Sequence, residues 1–148
     1  MDPVYSIDVD RRFVSLYWDE FPTLEQLREV VENAVADPEF KPGMNFLWDR
    51  RPGTPNTATV EYLRDAVYYL QILGEQVGNH AWAIVTHTAA DFGKARMIEA
   101  MTDRGQVTVR AFQSRDEAEE WLRHPVRFEP EIIHFPARNP LIIHPRFA

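Results

Sequence analysis

Polar and apolar residues alternate from Val4 to Val9, with Val4, Ser6 and Asp8 on one side and Tyr5, Ile7 and Val9 on the other. That period of two predicts a strand. Phe13 to Trp18 is β-branched and aromatic, and Asp10-Arg11 between the two runs closes a tight turn, so the chain opens on a predicted β-hairpin. Thr23-Leu24-Glu25-Gln26 is a capping-box pattern, and Leu24, Leu27, Val31 and Val35 follow at helical spacing until Asp37-Pro38. Met44 to Trp48 is a short apolar strand ending in Asp49. The stretch from Arg50 to Thr57 is turn chemistry.

From Ala58 to about Val77 the period is helical again, with Val60, Leu63, Val67, Leu70 and Val77 on one stripe. Tyr62, Ala66, Tyr69 and Leu73 widen it, and Gly78 suits the C-cap. Ala81 to Val85 is continuously apolar, as a central parallel strand requires. Thr88-Ala89-Ala90-Asp91 opens a third helix with Phe92, Ala95, Ile98 and Met101 inward, and Gly105 ends it. Val107, Val109 and Ala111 alternate in a fifth strand, then Ser114-Arg115-Asp116-Glu117 forms a capping box before Ala118, Trp121 and Leu122. The predicted order is β-β-α-β-α-β-α-β-α. It implies an α/β fold on a five-stranded mixed sheet, parallel beyond its opening hairpin, with four helices packed on it.

The pattern changes at residue 124. Five of the 11 prolines fall in residues 124–148, and Ile132-Ile133-His134 recurs as Ile142-Ile143-His144. Proline forbids a helix there and weakens a central strand. The expected organisation is a domain over 1–123 and an extended Pro-rich tail over 124–148. Val126, Phe128, Ile132, Ile133, Phe135, Leu141, Ile142, Ile143 and Phe147 make that tail too apolar for a disordered segment. It is expected to lie over a surface, as a homodimer clasp or as an intrachain cover of the second helix.

Composition narrows the classes. The chain has 148 residues and a net charge of −7, so general nucleic-acid binding, which needs clustered Lys and Arg, is not expected. Cysteine is absent, which excludes disulfides, a thiolate nucleophile and a Cys-type zinc site, and suits a cytoplasmic protein. Met1-Asp2-Pro3-Val4-Tyr5 carries no secretory signal pattern, and no apolar run approaches the roughly 20 residues of a membrane helix. The histidines at 80, 87, 124, 134 and 144 offer no i, i+4 pair, so neither a metal nor another cofactor is expected.

Three stretches carry a family resemblance: Phe13-Val14-Ser15-Leu16 in the hairpin, Asn45-Phe46-Leu47-Trp48-Asp49 closing strand 3, and Val109 to Leu122, a strand leading into a capped helix that ends in Trp121-Leu122. With the element order, they resemble the STAS-like family, and more closely its SpoIIAA-like bacterial members, over residues 4–123. The resemblance implies protein-interaction and regulatory roles and, for some relatives, the holding of small apolar or lipid ligands. It also implies a phosphorylated Ser or Thr at the start of the second helix. Thr57, eight residues after Asp49, is the matching position, followed by Ala58 rather than Ser-x-Gly; it is equally explained as a helix cap.

Ligands of open α/β sheets bind beyond the carboxyl ends of the strands. Asp49, Arg50 and Arg51 follow strand 3, His87 and Thr88 follow strand 4, and Ser114 and Arg115 follow strand 5, so these seven are the candidate ligand-binding residues. The arginines and three helix N-termini there favour an anionic group. The plainer roles are Asp49 pairing with Arg50 or capping a turn, His87 satisfying a loop carbonyl, Thr88 and Ser114 capping helices, and the two arginines solvated. Asp49 and His87 also suggest a hydrolase-like enzyme with a nearby hydroxyl, but no nucleophile elbow, P-loop or dinucleotide fingerprint accompanies them. Trp48, Tyr62, Tyr68, Tyr69, Trp82 and Phe92 suggest an apolar-ligand carrier, or plain core. The reading adopted from the sequence is a non-enzymatic module that contacts a protein partner or a small ligand at the carboxyl edge.

Overall fold

The computed structural model describes residues 4–52, 55–102 and 106–124. The elements are β1 (Val4–Asp8), β2 (Phe13–Tyr17), α1 (Leu24–Ala36), β3 (Asn45–Asp49), α2 (Val60–Val77), β4 (His80–Val85), α3 (Ala89–Met101), β5 (Val107–Phe112) and α4 (Arg115–Arg123). The strands form one sheet in the order β1-β2-β3-β4-β5; β1 and β2 pair antiparallel and every later pairing is parallel. The expected α/β class, mixed sheet, four helices and interior position of Ala81–Val85 are therefore what the described residues adopt. The expected tail over 124–148 lies outside the described residues from 125 onward, as does the expected helix stop at Gly105.

The two faces of the sheet are covered unequally. Val14, Leu16, Phe46, Trp48, Trp82, Ile84, Val107 and Val109 form the larger core with the inward stripes of α1, α2 and α3. Phe13, Leu47, Ala81, Ala83 and Val85 point to the opposite face and pack against Ala118 and Leu122 of α4. Alternate residues of a strand point to opposite faces. β4 is buried throughout because it has helices on both sides.

Local chemistry sets the helix ends. Thr23 and Gln26 complete the predicted capping box of α1. Thr88 caps α3 by accepting from the Asp91 amide, and Ser114 caps α4 by accepting from the Glu117 amide. Helix α2 departs from expectation. It begins at Val60 with Thr59 as its cap, not at Ala58 with Thr57. The Asn56 side chain accepts from the Ala58 amide at 2.9 Å, so residues 56–58 are held as a turn. Val60, expected on the inward stripe, is 44% exposed at the first turn. At the other end Gly78 has φ +88°, the left-handed conformation that favours glycine at a helix stop.

At the amino edge of the sheet, the buried side chain of Asn45 accepts from the Ala81 amide at 2.8 Å and donates to the Leu122 carbonyl at 3.4 Å. One side chain thereby joins β3, the start of β4 and the end of α4. No helix among the described residues is long and apolar enough to cross a membrane.

Candidate functional site

The carboxyl edge of the sheet holds two polar clusters, one on each face, because Asp49 and Arg50 are consecutive at the end of β3 and point to opposite sides. On the α4 face, Asp49 is gripped twice. His87 Nε2 lies 3.0 Å from its Oδ1, and Arg115 donates to its Oδ2 at 3.1 Å. Arg115 also donates to Glu119 at 2.7 Å and to the Ser15 hydroxyl at 3.3 Å, and Arg11 donates to Glu119 at 2.6 Å. Burial works against the charge on Arg115, but its hydrogen bonds to Glu119 and Asp49 outweigh that and raise its pKa.

The other cluster lies beneath α2 and α3. Arg50, expected as a ligand-binding residue or as a solvated charge, is only 3% exposed. Its Nε stands 3.2 Å from Asp91 Oδ2, an ion pair whose alignment falls short of a hydrogen bond, and its guanidinium lies 4.7 Å over the Phe21 ring. Asn56 donates to the other oxygen of Asp91. Lys94 reaches across from α3 to the carbonyls of Asn56 and Ala58, at 3.1 and 2.9 Å. The expected Asp49–Arg50 pairing is thus replaced by two separate pairings. Both tie the end of β3 to the segment after β4.

Arg51 remains at the surface, as expected. It donates to Asp19 at 3.1 Å and lies 4.6 Å over the Tyr17 ring. Between it and α3 runs an open groove of about 340 Å³, lined by Arg51, Pro52, Pro55, Asn56, His87, Thr88, Asp91 and Lys94 among others. A second open groove of about 450 Å³ lies on the α4 face beside β1 and β2, with Asp8, Arg11, Ser15, Arg115 and Glu119 in its wall. There each arginine already faces carboxylates.

Among the described residues, the hydroxyls at this edge of the sheet are committed elsewhere. Thr86 donates to the Phe112 carbonyl, Thr88 and Ser114 accept from amides of their own helices, and Ser15 accepts from Arg115. Among the described residues His87 has a hydrogen bond to Asp49 and to no hydroxyl. A carboxylate–imidazole pair is present; the nucleophile that a triad needs is not in contact with it. Among the described residues, no group of three or more His, Asp or Glu side chains is placed to hold a metal ion.

Of the aromatic candidates, Trp48 and Tyr62 pack with Phe21 around a cavity of about 30 Å³, which holds roughly one water. Trp82 stacks on Phe46, and Tyr68 is 67% exposed. Burial pushes the phenols of Tyr62 and Tyr69 up to about 12 from 10.0. Folding holds both phenols neutral, so their stabilisation is complete below pH 10 and is lost as pH rises through about 12. Melting temperature is expected to fall over that interval, and to fall less steeply in the double variant Tyr62→Phe, Tyr69→Phe. An equally steep fall in that variant would assign the alkaline loss to other groups.

The structure brings Asp49, His87 and Arg115 into one contact, with Ser114 next to it as a cap. Thr88 and Arg51 border the groove, and Arg50 is withdrawn beneath it. Thr57 is exposed before α2. Sequence reasoning missed Asp91, Asn56 and Lys94 in one cluster and Ser15 and Glu119 in the other. Glu119 had a signal, since it stands four residues after Arg115 on a helix. Compared with protein-family models, with curated proteins and with solved structures, the chain matches none.

Proposed function

We propose that this chain is a non-enzymatic, STAS-like binding or regulatory module that receives an anionic group, of a small ligand or of a protein partner, at the carboxyl edge of its sheet. The observation that carries the reading is the groove between Arg51 and the start of α3, with His87, Thr88 and Lys94 in its wall. Among the described residues its one lining carboxylate is Asp91, which buried Arg50 neutralises. The Arg51–Asp19 pair is substantially exposed on both sides, and such pairs contribute about 0–1 kcal/mol, so an incoming anion displaces it at little cost. The groove on the α4 face offers less, because its arginines are matched by Asp8, Asp49 and Glu119. The element order supports the STAS-like part of the proposal. The regulatory part rests on that resemblance, with a phosphate on exposed Thr57 as the switch it implies.

The Asp49–His87 contact favours a second reading, a hydrolase-like enzyme. Turnover of activated aryl esters separates the two. Hydrolysis at the same rate with the chain, with its His87→Ala variant and in buffer agrees with a binding module. Turnover that disappears with His87→Ala would establish the enzyme instead.

A further inference from the structure

The contact between His87 and Asp49 fixes which ring nitrogen bears the proton. A carboxylate only accepts hydrogen bonds, so the ring nitrogen 3.0 Å from Asp49 Oδ1, Nε2, is the donor. In the neutral imidazole Nδ1 is then a lone-pair acceptor, and among the described residues no hydrogen bond reaches it. The side chain is 33% exposed and borders the groove. Protonation turns Nδ1 from an acceptor that repels an anion into a cationic donor that attracts one, while the Nε2 contact with Asp49 is kept.

We propose that His87 is the pH sensor of this groove: protonated, it admits an anionic group; neutral, it disfavours one. The proposal rests on the reading of the groove as an anion site. Several charges face the ring. Asp49 at the end of β3 touches it, and Arg115 of α4 is bonded to the other oxygen of that carboxylate. Glu119 draws on the same Arg115. Arg51, Lys94 and Asp91, the last held by Arg50, line the same groove. An anion entering between Arg51, Lys94 and His87 favours a cationic ring over a neutral one. Ligand binding and ring protonation therefore strengthen each other, as linkage requires.

Sulfate is the suitable probe, because it stays doubly charged across the interval in which an imidazole ordinarily titrates, about pH 5 to 8. Sulfate is titrated into the full chain and into His87→Gln, whose amide keeps a neutral donor for Asp49. Binding is followed by amide shifts at about pH 5.5 and about pH 8. The expected result is roughly tenfold tighter binding to the native chain at the lower pH, the scale of one added charge near the surface. His87→Gln is expected to show less than about twofold change across the same interval. Sulfate binding with equal affinity at both pH values, or an equal pH dependence in His87→Gln, overturns the sensor and leaves the anion site standing. No sulfate binding at either pH overturns the anion site and the sensor together.

Discussion

Replacing Arg50 by alanine is expected to destabilise the chain by about 3–5 kcal/mol, the usual cost of leaving the other half of a buried ion pair unmatched. Asp91 would lose the cation 3.2 Å from its Oδ2, keeping the Asn56 amide as its side-chain partner among the described residues. The guanidinium also covers Phe21, so the truncation uncovers aromatic surface as well. Size and charge separate in a second variant. Arg50→Met with Asp91→Asn keeps most of the volume and removes both charges, and it is expected to cost clearly less than Arg50→Ala alone. Urea unfolding of the three chains measures this. If Arg50→Ala cost less than about 1 kcal/mol, the pair would be behaving as a solvated surface contact, and its burial would not matter.

Trp82→Ala is expected to cost about 3–5 kcal/mol, the range for emptying a large aromatic site in a packed core. Trp82 is 1% exposed in the interior strand β4, and its ring stacks on Phe46 with centroids 4.6 Å apart. Its Nε1 has no hydrogen-bond partner among the described residues, which offsets part of what burial contributes. Trp82→Phe keeps the stacking and removes that N–H. Its loss is expected to be under about half that of alanine. A phenylalanine variant as unstable as the alanine one would mean that indole shape, and not stacking area, holds this part of the core.

Much of the fold was legible because its signals are local. Thr23, Thr88 and Ser114 each precede an apolar helical period, and all three cap as their side chains allow. The apolar run from Ala81 to Val85 announced a strand covered on both faces. Thr57 misled because Thr59, two residues on, has the same capping chemistry, and the Asn56 turn, which decides between them, leaves no trace in periodicity. The site was half legible. Topology alone gathers Asp49, His87 and Arg115 at one edge, and they do meet. Their partners were not legible, since a one-residue step along a strand reverses the face. That step sends Arg50 away from Asp49 and toward Asp91, a residue that reads in sequence only as a first-turn acid.

The most direct test of the account is a titration of inorganic phosphate into the isotope-labelled chain, followed by amide shifts. The account predicts saturable shifts centred on Arg51, His87, Thr88, Ala89, Ala90 and Lys94, around the groove at the carboxyl edge. Shifts confined to the opposite edge, around Arg12, Asn45, His80 and Val107, or no saturable shifts at all, would contradict it.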